Sequence, residues 1–484
     1  MRLPLPLRGL AVGVLVAAAP LAATAQAAPA AGPAPRPAGA LPTIPHETFT
    51  LPNGLTVILA QDRTVPTVAV DVWYHVGSKN ESAGRTGFAH LFEHVMFTGS
   101  GHVGYGVHDR LTMGVGGSNN GSTSNDRTNY YEVVPSNYLQ TALWLEADRM
   151  GWLLDSLDAA KFTAQRLVVQ NERRQGVDNQ PYGLVGEIMA NAMYPAGHPY
   201  SWPVIGFMRD LEAATVDDVK QFFRTWYAPN NATLAIVGDF DADSARAWVR
   251  RWFDDIPQGP MIKRAPVPAV TLAAGKRLVH EDRVQVPRLY LRWPTVSAKH
   301  PDSHALDILA SILAGPRTAR LTKALVYDAQ VAATVGAGQG TNEDAGTFSI
   351  VVTPRPNNAL TALEASVDSI LARLKAEGPT ADELTRAKAG MEYGLVSSLE
   401  SPLGKAEMLL EGQVYHGDPA RFQKDLAALQ AVTAADVRRV ATEYLTDRRI
   451  VLSVVPQGKP EMAAKPEASV KATTATPIGA EVRP

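Results

Sequence analysis

The chain has 484 residues, of which 45% are hydrophobic and 19% are charged. This composition is typical of a globular protein with two to four domains and ample core. The formal net charge is −2 and the basic residues are scattered, so nothing indicates nucleic-acid binding. Because there is no cysteine, disulfides, thiolate metal sites and cysteine nucleophiles are excluded, and any metal must be held by histidines and carboxylates.

The first 27 residues have the pattern of an export signal. Arg2 and Arg8 give a positively charged start before the apolar run 10–19. Ala25-Gln-Ala27 has the small residues of a cleavage site. The apolar run is too short for a transmembrane helix. Residues 28–45 are rich in Ala and Pro and are interpreted as a linker. We therefore expect a periplasmic protein without stable membrane insertion, with an uncleaved anchor as the alternative.

Folded sequence is predicted to begin near residue 46, in a first domain that extends to residue 257. Residues 49–59 predict two short strands joined by an Asn53-Gly54 turn. Residues 67–76 alternate between apolar and polar side chains, which predicts a strand with one buried face. The other elements predicted in this half are strands at 128–134 and 232–237 and helices at 138–154, 161–174 and 215–226.

The second half is predicted to repeat the first. A helix at 433–444 followed by a strand at 449–455 repeats the order seen in residues 215–237. The Pro-rich residues 258–270 are interpreted as the linker between the two domains, and the second domain as residues 271–456. Further predicted elements are helices at 305–313, 360–374 and 381–399 and strands at 290–293 and 346–352. Residues 457–484 are predicted to be disordered.

The sequence His90-Leu-Phe-Glu-His94 indicates a metal site. In a helix, His90 and His94 lie one turn apart on the same face and can share a Zn²⁺ ion. Glu93 is then close enough to act on a bound water. The spacing is His-x-x-Glu-His, the inverse of the commoner His-Glu-x-x-His. The same spacing also arises by chance in ordinary amphipathic helices, so the motif alone leaves both interpretations open.

A catalytic zinc normally has three protein ligands. The best candidate for the third is Glu172, which lies in a predicted helix after the apolar run 167–169, a run that is expected to be buried. The alternative is a surface glutamate that pairs with Arg173 or Arg174. Three other histidines are more typical of structural or exposed positions than of ligands: His102, His108 and His198.

Five sequence blocks together resemble the inverted-motif zinc peptidases, that is pitrilysin, insulysin and the mitochondrial processing peptidase. The blocks occur in family order within residues 49–455, and the chain resembles a short bacterial two-domain member. They are Gly87–Gly101, Gly116–Thr123, Asp126–Glu132, Val168–Glu172 and His198–Tyr200. The resemblance implies an α+β fold of two homologous α/β sandwich domains, each a mainly antiparallel sheet packed with helices.

The resemblance also implies the roles of individual residues. His90, His94 and Glu172 would bind one Zn²⁺, and Glu93 would be the general base of an endopeptidase that cleaves peptides or unfolded segments. Substrate would bind as an added strand at a sheet edge, where small side chains allow another backbone to approach. A flexible Gly-rich turn is the alternative for this segment. The implied substrate-binding residues are Gly117, Ser118, Asn119 and Asn120.

Two departures from the family pattern affect the expected assembly and site. The glutamate that usually supports the third ligand is replaced by Gln165, a neutral amide that can still hydrogen-bond a ligand. Family members also have an Arg and a Tyr that hold substrate over the zinc. In this chain Val326 and Ala333 occupy those two positions. Arg320 and Tyr327 have the same seven-residue spacing but come six positions early, which we interpret as coincidence.

The missing Arg/Tyr pair favours a dimer in which a second chain completes the site. A heterodimer with a zinc-less paralogue that carries this pair is favoured over a homodimer. Two other functions are alternatives to the zinc endopeptidase. A non-catalytic structural or binding subunit of the same fold would usually lack the His/Glu set, which this chain keeps. A metal transport or storage protein would need more ligands than this one cluster supplies.

Overall fold

The computed structural model describes residues 42–473. The predicted signal peptide at 1–27, most of the predicted linker at 28–45 and the terminal residues 474–484 therefore lie outside the described residues. None of the helices within the described range is both long enough and apolar enough to cross a membrane.

The first half is built on a six-stranded sheet. Its strand order is β1-β2-β6-β3-β5-β4, with β2 and β6 parallel and the other neighbours antiparallel. The elements, in chain order, are β1 (Glu47–Thr50), β2 (Thr56–Gln61), β3 (Thr67–Tyr74), α1 (Phe88–Val95), α2 (Val107–Met113), β4 (Ser118–Thr123), β5 (Thr128–Pro135), α3 (Leu139–Ser156), α4 (Ala159–Arg173), α5 (Val185–Met193), α6 (Met208–Ala213), α7 (Val216–Trp226), β6 (Ala232–Gly238) and α8 (Ala242–Phe253).

The second half repeats this sheet. Its strand order is β12-β7-β11-β8-β10-β9, so each strand has a counterpart at the same place in the first sheet. The predicted α+β fold of two homologous sheet-and-helix units is confirmed. The elements are β7 (Lys276–Asp282), β8 (Arg288–Thr295), α9 (Ser303–Leu313), β9 (Ala332–Thr341), β10 (Gly346–Pro354), α10 (Leu360–Glu377), α11 (Ala381–Ser398), α12 (Pro402–His416), α13 (Arg421–Ala431), α14 (Ala434–Tyr444), β11 (Ile450–Pro456) and β12 (Val470–Lys471).

Local sequence signals explain several element boundaries. The predicted first hairpin is confirmed, and Gly54 in its turn has a φ of +91°, which favours glycine. Asn53 stabilises the same turn because its side-chain oxygen accepts a hydrogen bond from the Leu55 N–H at 3.2 Å. Helices α7 and α14 each begin with a capping box, formed by Thr215 and Thr433 with an aspartate three residues later.

The prediction of one exposed face for β3 is wrong, because both faces are buried. The valines of the strand pack into the first-half core, whereas Trp73 on the other face packs against α12 of the second half. Asp71 shares that face, and its carboxylate accepts hydrogen bonds from Trp73 Nε1 and Asn129 Nδ2, each at 3.1 Å. Burial raises the pKa of Asp71 well above its usual value.

The prediction of disorder after residue 456 is also wrong for residues 457–473. Ala463 and Ala464 are buried, and the Ala464 N–H donates to Ser453 Oγ at 3.0 Å. Strand β12 then pairs in parallel with β7 and completes the second sheet. The segment is polar and proline-rich, but its small alanines fit against the core and its backbone satisfies a sheet edge.

A buried group of charged side chains joins the two halves; we call Lys79, Asp126, Glu343 and Asp344 the inter-half cluster. The β9–β10 turn carries Glu343 and Asp344 against the first half. Lys79 Nζ lies 2.6 Å from Glu343, 2.8 Å from Asp344 and 3.0 Å from Asp126, and its side chain is only 7% exposed. His75 Nε2 lies 2.7 Å from the same Glu343 carboxylate. The cluster therefore fixes the second half to the first.

The inter-half cluster should make the protein sensitive to acid. Burial alone would raise the pKa of Glu343, but hydrogen bonds and charges from His75, Lys299 and Lys79 hold it well below its usual value of 4.5. A depressed folded-state pKa gives stability that is present above the unfolded pKa and is lost as the pH falls. We expect the free energy of unfolding to drop by about 2 kcal/mol between roughly pH 5 and pH 3 through this group.

Urea unfolding at several pH values in this window tests the expectation. Glu343→Gln should be less stable than wild type near pH 7 and should lose less stability on acidification, because position 343 no longer titrates. Parallel pH curves for the two proteins would contradict this account.

Candidate metal centre

Helix α1 carries the His-x-x-Glu-His motif, and its start is tightly constrained. Gly87 precedes the helix with a φ of +85°, and a Cβ there would lie 2.7 Å from the Ile205 carbonyl oxygen. The buried carboxylate of Glu81 accepts hydrogen bonds from the N–H groups of Gly87 and Ala89 at 2.9 and 2.8 Å. It thereby satisfies backbone donors at the helix N-terminus and fixes the direction of the helix.

The structure brings the three predicted ligands together. His90 Nε2 and His94 Nε2 lie 3.8 and 3.3 Å from the same Oε2 of Glu172, which α4 supplies from beside α1. Two ligand atoms on one tetrahedral Zn²⁺ at about 2.0–2.1 Å are roughly 3.4 Å apart, so these separations fit a shared ion. The Glu172 side chain is 49% exposed, which leaves one side of the group open to solvent.

Two other groups of acidic and histidine side chains are also close enough together to hold a metal ion. They differ from the His90, His94 and Glu172 group because each already surrounds a cationic side chain. The three carboxylates of the inter-half cluster surround the ammonium of Lys79. Arg149 Nη2 likewise contacts all members of the second group. That group consists of His108, Glu132 and Glu146. Within residues 42–473 no lysine or arginine pairs with Glu172, so its group has room for a metal ion.

The alternative reading of Glu172 as a partner of a neighbouring arginine is not observed among the described residues. Arg173 is buried and pairs instead with Glu187 at 2.6 Å. The expectation that the preceding apolar run is buried was wrong for Leu167 and Val168, which are 54% and 47% exposed. Glu172 thus lies on an open face of α4, directed toward the histidines.

His90 has the protonation state that a metal requires. Burial, followed by the nearby charge of His94, lowers the pKa of His90 to about 4, so its ring is neutral at pH 7. His90 Nδ1 is buried and has no hydrogen-bond partner in the part of the chain described. Gln165 lies two turns before Glu172 on α4 and is half-buried. Within that same range its amide makes no hydrogen bond with the three ligands.

Glu93 lies beside this group and contacts the neighbouring sheet. Its Oε2 accepts a hydrogen bond from Thr123 Oγ1 of β4 at 2.5 Å. Burial raises the pKa of Glu93, although the Thr123 hydroxyl opposes the rise. A carboxylate with a raised pKa next to a metal site is suited to take up and release a proton. The sequence places Thr123 only within the candidate substrate edge 116–123 and does not predict its contact with Glu93, because the contact joins an edge strand to a helix thirty residues earlier.

The predicted substrate-binding residues lie at the edge of the first sheet. Among the described strands β4 pairs with β5 alone, so its other edge is open. A Cβ on Gly117 would lie 2.9 Å from the Thr112 carbonyl oxygen, so the backbone there needs glycine. Ser118 and Asn120 are exposed, whereas Asn119 turns inward and its amide donates to Thr112 Oγ1 at 2.5 Å. The site thus combines three ligands, a carboxylate and an open strand.

Among the described residues, the second-half positions considered for an Arg/Tyr pair do not supply one to this site. Val326 packs against the second-half core, and Ala333 is exposed on β9. Arg320 forms a bidentate pair with Glu383, with both distances 2.8 Å, so its guanidinium has a structural partner. Tyr327 stacks against a different arginine at the surface. These contacts agree with the interpretation of the Arg320/Tyr327 spacing as coincidence.

Comparison with known proteins identifies the family. Residues 56–201 match the family described as Insulinase (Peptidase family M16), and residues 213–391 match the Peptidase M16 inactive domain. The chain is 30% identical over 411 residues to the zinc protease PqqE of Helicobacter pylori. This match covers 83% of this chain and 90% of that protein. The chain belongs to peptidase family M16. The predicted resemblance to pitrilysin and its relatives is therefore confirmed.

Further M16 relatives agree with this assignment. The chain is 23% identical to a probable mitochondrial-processing peptidase subunit beta of Arabidopsis thaliana, over 84% of this chain and 77% of that protein. The crystal structure of a protease from Helicobacter pylori superposes with a TM-score of 0.79 at 29% identity, covering 85% of this chain and all of that one. An M16 inactive domain from Pseudomonas fluorescens, at 19% identity and a TM-score of 0.75, shares the fold. M16 relatives named zinc proteases place the chain in a zinc peptidase family.

Proposed function

We propose that this M16 chain is a zinc-dependent endopeptidase that cleaves peptides or unfolded polypeptide segments. The observation that supports the proposal is the convergence of His90, His94 and Glu172 beside the carboxylate of Glu93. These three side chains would hold one Zn²⁺, which, when bound, polarises a water molecule and the peptide carbonyl. Glu93 would accept the proton of the attacking water and deliver it to the leaving amine nitrogen.

The open edge of β4 supports an extended substrate. A peptide that adds a strand there would pair with main-chain groups, while the small side chains of Gly117 and Ser118 leave room for its backbone. Asn120 is exposed on the strand, and its Oδ1 accepts a hydrogen bond from the next backbone N–H at 2.9 Å. Its amide nitrogen is available to the main chain of the substrate. Folded proteins would be poor substrates, because their strands are already paired.

We further propose that the chain is periplasmic and works as the catalytic subunit of a dimer. The export pattern of residues 1–27 supports the location. The non-polar Val326 and Ala333, at the positions expected for the Arg/Tyr pair, support a second chain that supplies these groups. A heterodimer with a zinc-less paralogue is favoured over a homodimer. A non-catalytic subunit of the same fold is the competing function.

Peptide cleavage by the purified chain tests the proposed function. We expect hydrolysis of a pool of unstructured fluorogenic peptides that is abolished by a chelator and restored by added Zn²⁺. The assay is run on the chain alone and on its mixture with a zinc-less M16 homologue that carries the Arg/Tyr pair. Full activity of the chain alone would refute the heterodimer. A zinc-loaded chain that is inactive in both arms would favour the non-catalytic subunit.

A further inference from the structure

Thr123 makes a direct contact with Glu93. The 2.5 Å distance between Thr123 Oγ1 and Glu93 Oε2 is in the range of charge-assisted O–H···O⁻ hydrogen bonds. A hydroxyl has one proton to donate, so this bond engages one carboxylate oxygen. The second carboxylate oxygen, Glu93 Oε1, makes no hydrogen bond within the described range. It is therefore left to accept a proton from water. The contact thereby fixes the orientation of the carboxylate.

The backbone of Thr123 faces the open edge of the sheet. The Ser124 N–H donates to the Arg127 carbonyl at 2.8 Å and closes the β4–β5 hairpin. Thr123 and Thr128 form the next pair in the register. Because hydrogen-bonded and non-hydrogen-bonded pairs alternate in an antiparallel ladder, the N–H and C=O of Thr123 point away from β5. They point toward the edge where an added strand would pair.

The side chains of alternate β4 residues face the helix layer. Asn119 donates to Thr112 of α2, and Thr123 donates to Glu93 of α1. Between them, a Cβ on Gly121 would lie 3.2 Å from Cε2 of Phe97, so the strand is held close to the end of α1. The strand that offers its backbone to substrate is thus anchored by Thr123 to α1, which carries the metal motif, and by Asn119 to α2.

We propose that Thr123 is a positioning residue that links the pairing of an extended substrate on β4 to the orientation of Glu93. The inference rests on the proposed peptidase function. The main chain of Thr123 pairs with the substrate strand, while its hydroxyl holds Glu93 Oε2. One residue therefore sets the position of the scissile peptide and of the base relative to each other, which is the condition for efficient proton transfer.

Thr123→Val and Thr123→Ser test this link. Valine keeps the shape and the strand preference of threonine but removes the hydroxyl, whereas serine keeps the hydroxyl. We expect Thr123→Val to lower kcat by about 10- to 100-fold with KM changed less than about 3-fold, and Thr123→Ser to stay within about 3-fold of wild type. Zinc content should remain one per chain in both. Thr225→Val, which removes a surface hydroxyl on α7, is the matched control and should behave as wild type.

A second readout uses the metal-free protein. Fluorescence anisotropy of a labelled extended peptide should give the same affinity for wild type and Thr123→Val, because the backbone of β4 is unchanged. Gly121→Pro should bind the peptide more weakly, because proline removes an edge N–H. Wild-type kcat in Thr123→Val, or a Thr123→Ser protein as slow as Thr123→Val, would overturn the link. Absence of cleavage by the wild-type protein in every combination would overturn the proposed function itself.

Discussion

Glu93→Gln is expected to lower kcat by about 10²- to 10⁴-fold while the protein keeps one Zn²⁺ per chain. Glutamine has the size of glutamate, and its carbonyl oxygen can still accept the hydrogen bond from Thr123 Oγ1. It cannot accept a proton at neutral pH, so the water is no longer activated. The three ligands are unchanged. The measurement combines steady-state kinetics on a peptide substrate with metal analysis of the same preparation.

Two control variants separate this effect from loss of the metal or of the fold. His94→Ala should lose both turnover and zinc, because it removes one of three ligands. Glu212→Gln changes an exposed carboxylate on α6 and should keep both. Full turnover in Glu93→Gln would exclude Glu93 as the base. Loss of zinc in that variant would instead indicate that Glu93 contributes to metal binding.

The sequence was sufficient for the parts of the site that depend on local spacing. His90 and His94 lie one turn apart because any helix places residues i and i+4 together. Glu172 was a candidate from its place in a predicted helix, but the family resemblance was needed to favour a ligand over a surface glutamate, since its approach depends on the packing of α4 against α1. The contact of Thr123 with Glu93 could not be predicted, because it depends on how the edge strand β4 is positioned along its length relative to helix α1. Alternation along β4 gives only the face on which its side chains lie.

The errors in the fold have one common cause, which is contact between segments far apart in the chain. The polar face of β3 was expected to meet water, but α12 of the second half covers it. Residues 457–473 were expected to be disordered, but they find a free strand edge at β7. A pattern of hydrophobicity reports what a segment can bury on its own. It does not report a surface that another half of the chain supplies.

The second half, although it matches an inactive domain, supports the geometry of the candidate site. Its β9–β10 turn places Glu343 and Asp344 against Lys79, which lies just before α1, and close to Asp126 in the β4–β5 turn. The Glu343 N–H donates to Asp126 Oδ2 at 2.9 Å. The inter-half cluster therefore holds the loop before α1 and the tip of the β4–β5 hairpin at one point.

This arrangement leads to the largest expected change in stability. Lys79→Met should lower the free energy of unfolding by about 3–5 kcal/mol near neutral pH, because three carboxylates lose the buried ammonium that they share. Lys299→Met is the matched control. Lys299 Nζ lies 2.8 Å from the same Glu343 carboxylate, but its side chain is 40% exposed, so its removal should cost about 1 kcal/mol or less.

Urea unfolding followed by circular dichroism measures both variants at two pH values. The difference between Lys79→Met and wild type should shrink as the pH falls toward about 3, since protonated carboxyl groups no longer need a buried cation. The Lys299→Met difference should stay small at both pH values. Equal destabilisation by the two variants would show that burial does not set the strength of these pairs. A large loss of unfolding free energy in Lys79→Met alone would show that the buried ammonium stabilises the position of the β4–β5 hairpin. Peptidase activity is then expected to fall along with stability.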